Sequence, residues 1–533
     1  MDTQAQYSDL EAIEQLPSMN AAAYDAASLD DRAMFNWAPS ATSANAELED
    51  EQEIMVGRSR DIFRNDGVAT GGKQTLKDNI VGATLRLSAK PDYRLLGKTV
   101  EWQREWAKNT EAQFRSYADS TECDAARSST LLGLTLQMLD GSIQNGDAVA
   151  LPIWKPRPGS RWGTRFQLVE ADRLATPVGM EMRKNLNGGI QSDLHGEPLK
   201  YWFMKSHPGD RWTLRMSAPD QWTSVDAFDE VGTRKVIHLA DKERVGQSRA
   251  KPLIASVIRE LKMTGKYANT ELQTAIASSL IAGVLESDLD PETMGAILGE
   301  GGAAKFDERI NGFRSQLKSG AILKAPVGTR MHLMSSGRNN AAFEQFMMTL
   351  LRKTAVGFNI PYELLLKDFS QTNYSSARAA LLEAWRYFYG RRRWLSDYWL
   401  TCVYEIWLEE AIAHGRVEAP DFYENRFAYT RCRWIMQGRG WVDPVKEANA
   451  SKIRMQNNLS TLENECAEQG LDWEDVLEQR AYEKERAIEL GVELMVEDAV
   501  ASPAANVEED EPEEAIPGEK TVSQETEEDK NND

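Results

Sequence analysis

The chain has 533 residues, 41% hydrophobic and 27% charged, with a formal net charge of −21 and a pI near 4.9. That length is more than one hydrophobic core organises, so several parts are expected, and the composition excludes a fibrous or wholly disordered chain. Strong acidity argues against a tight grip on nucleic acid and fits a surface that repels phosphate.

Residues 1–46 are rich in Ala, Ser, Asn and Asp, with anchors at Tyr24, Phe35 and Trp37, and read as an N-terminal arm. The first residues are acidic and lack an apolar run, so no signal peptide is expected. From Leu48 the pattern turns helical through Ile54, Met55, Ile62 and Phe63. The stretch Gly67-Val-Ala-Thr-Gly-Gly72-Lys73-Gln74 falls one residue short of a phosphate loop. Gln74 brings no hydroxyl for magnesium and a helix precedes Gly67 where a strand is needed, so the stretch reads as a turn between helices.

Residues 99–145 are helical, with Trp102, Trp106, Phe114 and Tyr117 on one stripe that reads as core. The period then changes to two, which predicts strands at 148–154 and 166–169 around a Pro/Gly/Arg loop. Further strands are predicted at 200–204, after the turn 193–196, and at 235–239. His195, His207 and His238 are dispersed, without the spacing of a metal site. Pro252 opens a long helix to about Glu286, striped by Ile254, Ile258, Leu261, Leu272, Ile276 and Leu280. Its apolar window 276–285 is too short to span a bilayer. Asp290-Pro291 starts another helix, and Phe306, Ile310, Phe313 and Leu317 mark an amphipathic one. Strands at 321–324 and 329–334 complete a small α/β module, 287–335.

A third helix runs from Asn339 to Phe358, and residues 359–373 form a loop. No proline lies between Pro361 and Pro420, and Leu381, Trp385, Phe388, Leu395, Trp399, Cys402 and Ile406 recur at helical spacing. One helix over 373–415 is expected, roughly 60 Å long at about 1.5 Å per residue. Asp443-Pro444 starts a C-terminal helical module in which Ser460 and Glu463 make a capping box, and its last helix ends near Leu490. Residues 501–533 hold twelve acids and two lysines and cannot bury enough surface to fold alone. Cys123, Cys402, Cys432 and Cys466 form no C-x-x-C pair, so neither a disulfide framework nor a zinc site is signalled and a reduced setting fits. The fold class is α+β, predominantly helical, an elongated subunit with a protruding tip. No motif indicates catalysis, a cofactor or a metal.

Asn373-Tyr-Ser-Ser-Ala-Arg-Ala-Ala380, following Gly357-Phe-Asn-Ile-Pro-Tyr-Glu-Leu-Leu365, resembles the portal proteins of lambda-like tailed bacteriophages. The resemblance continues in order through Arg64-Asn-Asp-Gly67, Asp78-Asn-Ile-Val-Gly82, Val236-Ile-His-Leu239, Val245-Gly-Gln-Ser-Arg249, Val442-Asp-Pro-Val-Lys-Glu-Ala448 and Gln469-Gly-Leu-Asp-Trp-Glu-Asp-Val476. It leaves out the arm and the acidic tail, and departs from the family at Ala250 and in the glycines of 67–72. It implies a ring, usually of twelve subunits, at one capsid vertex, through which double-stranded DNA passes in packaging and ejection. It implies a wing at 47–250, stem helices at 251–286 and 336–358, a clip at 287–335 and a tunnel loop at 359–373. A spine helix and wing return (374–439), a crown (440–495) and a disordered acidic tail (496–533) follow. The implied partners are the large terminase subunit, a head-completion or adaptor protein, and the major capsid and scaffolding proteins, with no membrane. The implied location is the virion's portal vertex, and the host cytoplasm during assembly.

On this frame the tunnel loop would bring Glu363, Lys367, Asp368, Gln371 and Asn373 to DNA. Arg391, Arg392 and Arg393 would pair between subunits or touch DNA, with pairing preferred. Arg309, Arg314 and Lys318 in the clip would meet terminase or the connector, or form a solvated helix face. Two other readings stay open: a nucleotide-driven packaging enzyme resting on 67–74, and a non-portal capsid scaffold or adaptor.

Overall fold

The computed structural model describes residues 37–181, 183, 185–210, 221–280, 284–287, 329–332, 341–370, 372–440 and 443–492. The chain divides into two compact units, 1–473 and 474–533.

The first unit begins with three helices, α1 (Ala44–Glu49), α2 (Gln52–Asn65) and α3 (Gly67–Ile80). The stretch expected as a turn, 67–74, is instead the first two turns of α3, capped by Asp66, whose carboxylate accepts the Ala69 N–H. The glycine there has a packing cause. A Cβ on Gly72 would lie 2.6 Å from Leu365 and 3.0 Å from Phe358, so only a bare backbone lets α3 approach so closely. Strand β1 (Leu85–Ala89) follows. The helical span predicted over 99–145 is two helices, α4 (Val100–Ala118) and α5 (Leu131–Asn145). Between them the Asp124 carboxylate accepts the N–H groups of Ala126, Ser128 and Ser129 and holds a tight loop.

Strands β2 (Asp147–Trp154) and β3 (Thr164–Val169) form the expected hairpin. With β8 (Ile237–Ala240) they make an antiparallel sheet of order β3-β2-β8. A second antiparallel sheet holds β4 (Leu186–Asn187), β5 (Ile190–Ser192), β6 (Pro198–Met204) and β7 (Trp222–Asp226) in sequence order. One buried ion cluster locks the two sheets. Asp147, at the start of β2, accepts from Arg249 and lies 3.1 Å from His238 of β8. Arg249 also donates to the carbonyls of Ala171, Leu174 and Gly188. Burial alone would raise the Asp147 carboxyl, but Arg249 and His238 outweigh it and bring it down to about 2.

Helix α6 (Ile258–Leu280) packs against α7 (Ala341–Gly357), with Tyr267 5.4 Å from both Phe343 and Phe346 and Lys353 paired to Glu260. The helix predicted to reach Glu286 ends at Leu280. Val284–Ser287 is strand β9, antiparallel to β10 (Thr329–His332). The apolar run gave no local stop signal, and a partner some 45 residues away decides the change of state. The module expected at 287–335 is described only at its two ends, Ser287 in β9 and Thr329–His332 in β10.

After a short helix α8 (Tyr362–Leu366), the long helix runs as α9 (Tyr374–Leu395), a π-helical turn at 396–400, and α10 (Thr401–Ala413). The wider turn keeps Leu395, Trp399 and Leu400 all buried, and the Trp399 indole donates to Thr135 at 3.0 Å. From α10, Trp407 reaches Phe114 (5.0 Å) and Trp162 (5.1 Å) in the aromatic core. The buried Glu410 carboxylate accepts the Gly163 and Thr164 N–H groups at 2.6 and 2.9 Å, tying the helix to the β2–β3 hairpin. Short helix α11 (Arg426–Tyr429) precedes β11 (Cys432–Met436), which pairs antiparallel with β1 across nearly the whole unit in sequence. No sequence signal named either strand. Helices α12 (Pro444–Gln456) and α13 (Leu462–Glu468) follow. The cap of α13 is Thr461, which accepts the Asn464 N–H, so the Ser460–Glu463 box is displaced by one residue. Glu463 instead pairs with Lys90 and Arg433. The last helix is α14, Trp473–Leu490, which from Glu474 on belongs to the second unit.

Candidate functional site

The segment between α7 and α9 is built from two turns and a cap. Asn359 takes a positive φ of 55°, and Pro361 opens α8, so the stretch predicted as loop begins with a helix. That short helix turns Glu363 and Leu365 inward. Glu363, expected at the channel, is only 8% exposed and is corrected to a buried position on α8. Lys367 ends α8 in the left-handed region, φ 58°, with its side chain exposed. Asp368 is exposed, and the Ser370 backbone N–H, then its hydroxyl, hold its carboxyl below the usual range. Asn373 caps α9 by accepting the Ser376 N–H at 2.8 Å. Gln371 lies outside the described residues. The exposed charges left on this segment are therefore one lysine and one aspartate, side by side. Sequence reasoning missed Phe369, an exposed aromatic beside them. Its signal was a large apolar residue in a polar stretch.

The three consecutive arginines separate by direction around the helix. Arg391 pairs with Asp241 at 2.6 Å and lies over the Tyr387 and Trp394 rings. Arg392 donates to the carbonyls of Asn79, Ile80 and Gln437 at 2.7, 2.8 and 2.6 Å, covering the C-terminal end of α3. Arg393 is 81% exposed and, among the described residues, pairs only with Asp397, one turn on. Two of the three are thus held by other elements of their own chain, and the third by a neighbour one turn away. Arg309, Arg314 and Lys318 lie outside the described residues.

Lys73 pairs with Asp140 at 3.2 Å and lies over the Phe63 ring. It stands in a helix, where backbone N–H groups are bonded and cannot cradle phosphate. His238 is buried on Asp147, and His207 is within 4 Å of Glu170 and Asp172. No group of three or more metal-ligating side chains occurs among the described residues, and none of their helices is long and apolar enough to cross a membrane.

A family model described as phage portal protein, lambda family, matches residues 30–392. The chain is 29% identical over 469 residues to portal protein B of Escherichia phage lambda, covering 84% of this chain and 86% of that one. It is 30% identical over 468 residues to the portal protein of Escherichia phage N15, covering 84% and 87%. Among solved structures it is similar to a chain of the virion of a native gene transfer agent particle, with a TM-score of 0.40 and 12% identity over 66% of this chain and 81% of that one.

Proposed function

The chain belongs to the lambda family of phage portal proteins, and we propose that twelve copies close into a ring at one capsid vertex and form the channel for double-stranded DNA. The match that spans residues 30–392, with relatives aligned over 84% of the chain, carries this reading. A closed ring needs two different faces on each subunit that fit each other. A channel needs a lining that DNA slides over without being held. The segment 367–373 supports that role, because its adjacent lysine and aspartate offset each other and leave no concentrated phosphate grip. Lys367, Asp368, Phe369 and Gln371 are the groups proposed to approach DNA.

The proposed parts follow from the same frame. The two sheets and α1–α5 form the wing, and the packed pair α6 and α7 forms the stem. Residues 287–335 form the clip, rooted in the β9–β10 ladder, where terminase and then a head-completion protein dock; Arg309, Arg314 and Lys318 are proposed there. The ring is assembled with capsid and scaffolding proteins in the host cytoplasm. The family is structural, and the paired Lys73 within α3 supports a role without nucleotide hydrolysis.

Cryo-electron microscopy of the purified chain tests the reading. A closed ring with a hole wide enough for duplex DNA is expected. Compact particles without a channel would overturn it.

A further inference from the structure

Arg378, in the stretch 373–380 that carries the family resemblance, has no hydrogen-bond or ion-pair partner among the described residues. It begins a stripe on α9 that continues through Leu382, Arg386, Tyr389 and Arg393, at spacings of three and four. Leu382 is 49% exposed and Tyr389 40%. Arg386 and Arg393 are exposed, and each is held only by a surface acid on the same helix, Glu383 and Asp397, contacts worth little in water. Gly390 sits beside the stripe with nothing among the described residues within 4 Å of where a Cβ would be, so their packing does not require a glycine there. A glycine on an open helix face admits close approach by something outside the chain.

The chain carries a matching surface elsewhere. At the α1–α2 corner Glu49, Asp50, Glu51 and Glu53 are all exposed, and none has a side-chain partner among the described residues. Ile54, next to them, is exposed as well. Helix α3 packs against both α2 and α9, and the corner and the stripe lie on different elements of one subunit. Duplex DNA fits the stripe less well, since Leu382 offers nothing to phosphate, and Glu383 and Asp397 repel it.

We propose that the α9 stripe of one subunit docks on the α1–α2 corner of a second copy. The arginines face the four acids and Leu382 and Tyr389 meet Ile54, in one of the contacts that close the ring. This contact presupposes the ring assembly proposed above.

The test is a charge swap, read by native mass spectrometry and mass photometry of the full chain, with circular dichroism as a check on folding. One variant carries Arg378→Glu, Arg386→Glu and Arg393→Glu. The other carries Glu49→Lys, Asp50→Lys, Glu51→Lys and Glu53→Lys. Each alone is expected to raise the concentration for half-assembly by about tenfold or more, and both together in one chain are expected to restore it. If either variant alone assembles like the unmodified chain, or the combination rescues nothing, the contact is overturned while the ring stands. Rings that assemble normally but bind DNA less well after the arginine swap would reassign the stripe to DNA. An unmodified chain that forms no closed ring overturns the assembly and this contact with it.

Discussion

The two ends of the long helix differ in what holds them. In α10 seven of thirteen residues are buried, and Trp407, Tyr404 and Glu410 are enclosed by α4 and the β2–β3 hairpin. Residues 375–383 of α9 contribute no side chain to the buried core. Apolar residues recur at similar spacing in both, so periodicity marks both as helix and says nothing of what covers them. The packed end is fixed by its own chain. The open end has a face that none of the described residues covers.

Truncation gives the largest expected contrast. Trp407→Ala removes a fully buried ring at the centre of the aromatic core, and a loss of about 3–5 kcal/mol is expected in chemical denaturation. Leu382→Ala at the open end is expected within about 0.5 kcal/mol of the unmodified subunit. Equal losses at both sites would break the comparison. Next comes Gly390→Pro, between the two ends. It removes a helix hydrogen bond and crowds the preceding turn, costing about 3 kcal/mol or more, and should prevent rings, scored by electron microscopy. Intact rings from that variant would mean that α9 need not be continuous through residue 390.

Gly72→Ala probes packing further out, where α3 meets α8. The added methyl meets Leu365 and Phe358, and a cost of about 1–3 kcal/mol is expected in the thermal unfolding curve. The smallest effect is set by pH at the Asp147–Arg249–His238 cluster. Burial lowers the His238 imidazole below 6.5, partly offset by Asp147, so the unfolded chain takes up that proton first. Its contribution is complete above pH 6.5 and is lost as pH falls below that value. Asp147, lowered from 3.8 to about 2, adds a second loss between those values. His238→Gln is expected to flatten the dependence just below pH 6.5 and leave the acid limb. An unchanged profile in denaturant titrations would remove His238 from the account.

Much of the helical framework was legible in the sequence, because caps and periodicity are local. Asp443-Pro444 did start α12, with Asp443 accepting the Lys446 N–H, and the hairpin β2–β3 stands where alternation placed it. The site was less legible. Glu363, Lys367 and Asp368 looked alike as polar residues of one loop, and one short helix sorted them into one buried and two exposed. Arg391, Arg392 and Arg393 looked like one basic run. Successive residues on a helix point about 100° apart, so each met a different neighbour.

The sequence by itself determined where α9 and α12 start, that it carries no metal-ligand spacing, and which family it resembles. Tertiary structure alone decided that β1 pairs with β11, that 284–287 leaves the helix for β10, and that Arg392 closes the end of α3. The reason is range. Capping and helical spacing act within about four residues, whereas Arg392 meets a carbonyl 312 residues away and Leu87 faces Trp434. Such partners are chosen by the packing of the whole unit.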